Sequence, residues 1–465
     1  MSHASPPVGD HVSVWQLLRE ARRVRSQGRA AIEQRQRARL AEIVVYARAN
    51  SPYYHKLYQN LPERVEDPTL LPVTSKEALM ACFDDWITDR EVTIEQVRAF
   101  VADPNLIGER FRGKYLVATT SGTSGRRGIF LLDDRNMAVQ YALSSLAALS
   151  WLSAGDLIPI LGHFGRSAMV MVTGGHFVGV AGIARIRKTS WWNRKTMRVF
   201  SVYTPLPELV AELNRFRPAL LVGYASVIAR LSREQEAGRL RLDRVQVQPA
   251  GETLAESEYD RIAKAFHAKV HIAYTATECL FISASCEQGW QHVNLDWVVL
   301  EPVDADYRSV PPGEQSHTVL ISNLANRVQP IVRYDLGDSI LLRPDPCPCG
   351  SPLPAIRIQG RAADVLTFPT DRGEQVSIAP LAFGTLLDRT PGIELFQMVQ
   401  TTPTSLRVRL RLAPLADADR VWQQVHAEIT HLLTEHRVGH ITLERAKEPP
   451  QQSPGGKYRT IIPLS

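Results

Sequence analysis

The chain has 465 residues, with 54 Lys and Arg against 48 Asp and Glu, for a formal charge of +6; 44% of residues are hydrophobic and 22% charged. These fractions exclude a largely disordered chain. The length allows two or three domains and a core that needs no disulfide staples. Five cysteines, at 82, 279, 286, 347 and 349, are too few and too unevenly placed for a disulfide scaffold, so a cytoplasmic location is expected.

The N-terminal stretch MSHASPPVGDHVSVWQ has no continuous apolar run, and no signal peptide is expected. Residues 19–39 carry eight arginines and two glutamates, which accounts for the whole +6. Val14, Leu17, Leu18, Ala21 and Val24 recur at helical spacing there, and the segment reads as a solvated helix face. It has no aromatic residues among its arginines, so no nucleic-acid partner is expected. The uncharged stretches 136–155 and 167–184 are broken by polar residues and glycines, and no membrane partner is expected.

Residues 12 to about 100 read as helices, interrupted at 61–72. In LPVTSKEAL, Thr74 with Glu77 three positions on predicts a capping box. From Lys114 to about Arg343, short β-branched runs (YLVATT, DLIPIL, ALLVGY, VQVQPA, KVHIAY, HTVLISN) alternate with helical segments such as 207–217 and 255–266. That alternation predicts an α/β domain with mainly parallel sheets. Near the C-terminus SLRVRLRLA alternates strictly, 417–436 is helical in period, and HITLERAK is a second strand, giving a small α+β domain. The expected division is a helical region 1–109, an α/β core 110–360 and a small domain 361–465.

TTSGTSGRRG, residues 119–128, directly follows the apolar strand YLVA. Gly122 and Gly125 permit tight backbone geometry, and the hydroxylated neighbours add donors, so the loop can cradle an anion. It is neither a Walker A loop nor a dinucleotide fingerprint; taken alone, such a loop is equally well a flexible connection. Further segments follow in order: Gly251-Glu252-Thr253, Tyr274-Thr275-Ala276-Thr277-Glu278, Arg333-Tyr334-Asp335-Leu336-Gly337-Asp338, Gly360-Arg361-Ala362-Ala363-Asp364 and Gly455-Gly456-Lys457-Tyr458-Arg459. Together they resemble the adenylate-forming (ANL) superfamily over about residues 110 to 465. HVNLDWVVLEPVD, the CPCG element and the long helical N-terminus resemble its phenylacetate–CoA ligase-like branch.

The resemblance implies a large adenylate-forming domain followed by a small α+β one. It implies that Thr120, Ser121, Gly122, Thr123, Ser124 and Gly125 hold the ATP phosphates, and that Gly251 and Glu252 border the nucleotide. Tyr274 would stack on adenine and Thr277 contact the α-phosphate. Glu278 would hold Mg²⁺, while Asp338 and Arg361 would hold the ribose and Lys457 stabilise charge growing on the α-phosphate. Taken singly, each is equally a surface polar residue, or for Arg333 and Asp338 a structural ion pair. The chain departs from the family pattern at Arg126-Arg127-Gly128, where Pro-Lys is usual, at Thr275, at Ala363 and after Asp364. These departures leave CoA as one acceptor among several.

Cys286, His292, Cys347 and Cys349 are of the types that form a closed Cys₃His zinc site. The residues alone favour free buried cysteines, and the family resemblance shifts the expectation to zinc. An acid pocket is placed by family order at His163, Phe164, Gly223, Tyr224, Ala225 and Ser226. The expected activity is ATP-dependent activation of a small, aromatic carboxylic acid as acyl-AMP, with transfer to CoA, a carrier-protein thiol or an amine. Alternatives are adenylation of another acid such as nitrite, direct amide formation, and a non-catalytic nucleotide-binding scaffold.

Overall fold

The computed structural model describes residues 13–120, 128–151, 165–242, 244–252, 254, 256–361, 364–370, 372, 375–378, 382–383, 386–387, 390–452 and 459–464. The predicted run DLIPIL lies outside them. Two helices, Val14–Ser26 and Arg29–Asn50, open the described chain, and Gly28 turns between them at φ +89°, a conformation glycine adopts without a Cβ clash. The first buries Leu17, Leu18, Ala21 and Val24, four of the periodic residues.

The basic stretch is only partly a solvated face. Arg19, Arg22, Arg23, Arg29 and Arg37 are exposed. Arg25 instead donates to Asn294 Oδ1 at 2.9 Å. Arg39 is buried, donates to the Asp296 carbonyl at 2.6 Å, and stacks 3.3 Å from the centre of the Trp297 ring. A cation out of water needs such partners. HVNLDWVVLEPVD is therefore where the N-terminal helices dock.

The predicted capping box does not form, and the cap falls one residue later. Ser75, not Thr74, caps the helix Lys76–Ala81, accepting from the Ala78 N–H at 3.3 Å. Thr74 is buried, and its backbone N–H and hydroxyl both donate to carbonyls of the strand Ile331–Asp335. Tertiary pairing has taken the residue that local pattern assigned to the cap.

The fold is α/β, with its parallel pairing concentrated in one sheet. Four strands lie in the order Met197–Ser201, Ser167–Met171, Leu220–Tyr224 and Gln246–Ala250, all parallel. The connecting helices Leu206–Phe216 and Ala225–Glu236 bury Leu209, Leu213, Ile228 and Leu231 against it. The other sheets of this region are antiparallel. They are three strands within residues 110–132, three within 298–335, and five in the order Asp338–Leu342, Ala355–Arg361, Gln291–Val293, Cys279–Ser285, Ala273–Ala276. Hairpin connections allow such pairing without crossover helices.

Residues 366–461 carry a separate apolar cluster that includes Phe368, Met398, Val408, Val425 and Ile461. Here the strand Ser405–Leu412 and the helix Ala418–Glu435 appear where the periodicities predict them, and Thr442–Arg445 completes the expected α+β arrangement. The alternation in SLRVRLRL places Leu406 and Val408 inside and leaves the arginines on the other face.

Three buried amide side chains fasten the centre of the larger region. Asn323 donates to the Glu278 carbonyl at 3.0 Å and to Asn136 Oδ1 at 3.1 Å, and its own Oδ1 accepts the Ala325 N–H. Gln329 takes the place of a neighbouring strand, accepting from the Leu131 N–H at 2.6 Å and donating to the Ile129 carbonyl at 3.1 Å. Asn326 donates to the Leu131 carbonyl at 2.8 Å. Replacing Asn323 by Ala strands three of these groups in the interior, and denaturant unfolding is expected to register a loss of about 2–4 kcal/mol. A loss well under 1 kcal/mol would show that water takes over the amide's bonds.

Candidate active site

The C-terminal ends of the parallel strands open into a cleft of ≈ 2510 Å³, to which Met171, Tyr224, Ala250, Tyr274, Glu278 and Asp338 contribute from one side. Phe396 and Arg459, from the C-terminal cluster's segment, face it from the other. Ligands of open α/β sheets bind at that end because successive loops converge there.

Tyr274 is buried on the short strand Ala273–Ala276, and its hydroxyl donates to Asp338 Oδ2 at 2.6 Å. Asp338 opens its own strand and is the register partner of Arg361. Tyr274 and Asp338, from two separate motifs, thus meet at one edge of the cleft. Gly337 approaches through φ +74°, and Asp335 holds that turn by accepting its N–H at 2.9 Å.

Glu278 is buried, and its Oε1 accepts from the Tyr334 hydroxyl at 2.9 Å. Burial pushes its pKa above the usual carboxylate value; the hydrogen bonds and the nearby Lys76 cation oppose that, and Asp338 adds to it. Thr277 lines the cleft beside it.

The glycine loop is closed at its neck. Thr120 N–H donates to the Gly128 carbonyl at 3.0 Å, and Gly128 N–H returns a bond to Thr120 Oγ1 at 2.8 Å. A Cβ on Gly128 would lie 2.7 Å from the Phe130 ring and 3.4 Å from Lys76 Cε, so the lysine stem passes directly under the neck. Ser121, Gly122, Thr123, Ser124 and Gly125 lie outside the described residues, as do Lys457, His163 and Phe164.

Gly251, at φ +74°, turns the chain so that Glu252 Oε2 accepts the Ser226 N–H at 2.9 Å. The carboxylate thereby sits at the positive end of the helix Ala225–Glu236. Gly223, Tyr224 and Ser226 line the cleft, whereas Ala225 is fully buried. Arg333, in the same motif as Asp338, is taken up by structure: it pairs with Glu301 at 3.2 Å and donates to the Thr69 and Leu71 carbonyls.

Sequence reasoning missed Lys76 and the role of Tyr334. The lysine was visible only as a residue of a helix start, and Tyr334 only as a letter inside a motif; neither carries a local signal for facing Glu278.

A second cluster lies nearby. Ligand atoms of Cys286, His292, Cys347 and Cys349 all fall within 4.8 Å of one another. His292 Nε2 is 3.1 Å from Cys349 Sγ, and Cys286 Sγ is 3.8 Å from Cys347 Sγ. His292 Nδ1 faces the Leu353 carbonyl at 3.0 Å, which fixes the proton there and leaves Nε2 as the donor to the cluster. Gly350, at φ +80°, makes the turn that returns Cys349 beside Cys347.

No family model matches the chain. Protein CapK of Staphylococcus aureus is 22% identical over 324 residues, which span 66% of this chain and 62% of that protein. A 2-hydroxyisobutyryl-CoA ligase, solved in its postadenylation state in complex with R3-HIB-AMP, superposes with a TM-score of 0.64 at 21% identity, covering 94% of this chain and 89% of that one. The chain shares its fold with this CoA ligase. With the same ligase in its thioesterification state, in complex with 2-HIB-AMP and CoA, the TM-score is 0.54 at 22% identity, covering 93% and 90%.

The raised pKa of Glu278 has a definite sign. A carboxyl that binds its proton more tightly folded than unfolded loses stability as pH rises from the ordinary carboxylate range through the folded value. Glu278→Gln is expected to gain stability on the parent as pH rises above the ordinary carboxylate range, read by thermal unfolding. Lys76→Met should carry the transition to higher pH. A difference that stays flat as pH rises would contradict the burial argument.

Proposed function

We propose that the protein is an ATP-dependent, AMP-forming acid ligase of the phenylacetate–CoA ligase-like branch. It activates a small, aromatic carboxylic acid as acyl-AMP with release of pyrophosphate, then passes the acyl group to a thiol such as CoA. The observation that carries this reading is the convergence of Tyr274, Asp338, Glu278 and the neck of the glycine loop on one cleft in a fold shared with a ligase solved with acyl adenylates.

In this reading each residue has its own task. Tyr274 presents an aromatic surface for adenine while its hydroxyl orients Asp338, which with Arg361 accepts and donates to the ribose hydroxyls. Thr120 anchors the loop, and Ser121, Gly122, Thr123, Ser124 and Gly125 supply donors to the phosphates. Gly251 and Glu252 shape the wall beside the nucleotide, with Glu252 holding its helix in place. The acid's carboxylate oxygen attacks the α-phosphorus, the bond to the bridging oxygen breaks, and pyrophosphate leaves with the electron pair.

Lys457 and Thr277 stabilise the charge that grows on the α-phosphate. Mg²⁺ held by Glu278 would neutralise phosphate charge, and a hard cation would draw this buried carboxyl into its ionised form. Residues 361–465 act as a small domain that moves over the core 110–360, to which 1–109 is attached, and so brings Lys457 in and out. The protein works in the cytoplasm in this reading.

Pyrophosphate release from MgATP, assayed over a panel of aromatic and aliphatic acids, tests the reading. Release should depend on the acid, and Lys457→Ala should slow it by about 100-fold or more while acid binding persists. Acid-independent background alone, or an unchanged Lys457→Ala rate, would exclude adenylation at this site.

In the same reading Cys286, His292, Cys347 and Cys349 hold a structural Zn²⁺. Three thiolates and an imidazole with its second nitrogen on a backbone carbonyl fit a closed tetrahedral site. Metal analysis should return about one zinc per chain, and Cys347→Ser with Cys349→Ser should lose it and lower the unfolding temperature. A folded, unchelated sample without zinc would refute the assignment.

A further inference from the structure

The cleft is not the only surface with a chemical character. Residues 157–207 contain no Asp or Glu, yet carry seven Lys and Arg, six of them between 185 and 198. In their midst the helix Trp191–Thr196 exposes two adjacent indoles, Trp191 at 61% and Trp192 at 47%.

This exposure is built in. Ser190 caps the helix, its Oγ accepting from the Trp192 N–H at 3.1 Å and the Asn193 N–H at 3.4 Å. Asn193 donates to the Ile186 carbonyl and to Thr189 Oγ1, and Thr196 donates to the Trp192 carbonyl. The short helix is fastened on its inner side while both rings face water, edge to face at 5.7 Å. Two of the surrounding cations are matched by acids, Lys188 by Glu109 and Arg198 by Glu212. Arg194 and Lys195 flank the indoles and are exposed.

We propose that this face docks on an anionic lipid bilayer surface. Indoles prefer the boundary where one edge is apolar and the other wet, and Lys and Arg beside them are drawn to acidic headgroups. A second copy of the chain is the wrong partner, since a self-complementary contact would set this cationic face against itself. Single-stranded nucleic acid needs open ring faces for stacking. Here Lys195 Nζ stands 5.0 Å from the Trp191 ring centre and the neighbouring indole meets it edge to face.

Placement also fits. The helix leads into Met197, which pairs with Ser167 at the opening end of the parallel sheet, whereas the cleft lies beyond Met171 at the other end. Docking would leave the cleft open to water. No membrane span is involved: among the described residues, no helix is long and apolar enough to cross a bilayer.

Co-sedimentation of the full chain with vesicles tests this. Vesicles of phosphatidylcholine with about one-third phosphatidylglycerol should retain the protein, those of phosphatidylcholine alone should not, and added salt should release it. The pairs Trp191→Ala/Trp192→Ala and Arg194→Gln/Lys195→Gln should each weaken retention by about tenfold or more with pyrophosphate release in solution unchanged. No retention on anionic vesicles, or retention equal in both variants and the parent, overturns the proposal. Retention of a single-stranded oligonucleotide instead, or a Trp-dependent dimer that ignores vesicles, would reassign the face to nucleic acid or to a second copy.

Discussion

Asn323 is the side chain on which the centre of the molecule depends. A primary amide sealed from water must find partners for both its ends, and it finds them in the Glu278 carbonyl, in Asn136 and in the Ala325 N–H. The same short segment supplies Gln329 to the edge of the strand Ile129–Leu132 and backbone donors to Asp133. Asp133 in turn accepts the Asn136 N–H at the start of the helix Asp134–Trp151. The glycine loop's exit strand, the following helix and the Glu278 turn are thereby set relative to one another by these hydrogen bonds, and a shift of any one of them would break a bond.

That rigidity matters because Glu278 is held at an electrostatic disadvantage. Its burial favours the protonated acid, and Tyr334 and Lys76 offset this from two directions. Arg39 shows the same balance at the other side of the molecule, where a buried guanidinium is kept charged by Asp296, Glu20 and the Trp297 face. In both places a charged group leaves water only where fixed partners wait for it.

How much of this was legible in the sequence differs by residue. The strand Ser405–Leu412 and the helix Ala418–Glu435 could be read directly, since alternation and helical period report which face is buried. The motif order around Tyr274 and Asp338 pointed to a shared site, and the two residues do meet. Thr74 misled because a capping pattern is local, whereas its partners, Val332 and Arg333, are distant in the chain. Arg25 and Arg39 looked like their exposed neighbours, because nothing in a run of arginines marks which will be buried.

By itself, then, the sequence determined most of the element types and the α/β class. These follow from periodicity and side-chain type, which act over a few neighbouring residues. Only the tertiary structure decided that Lys76 and Tyr334 would face Glu278, that four thiol and imidazole ligand atoms would gather within 4.8 Å, and that only one sheet of the larger region would pair in parallel. Each of those depends on strand register between segments far apart in the chain, and no local preference encodes it.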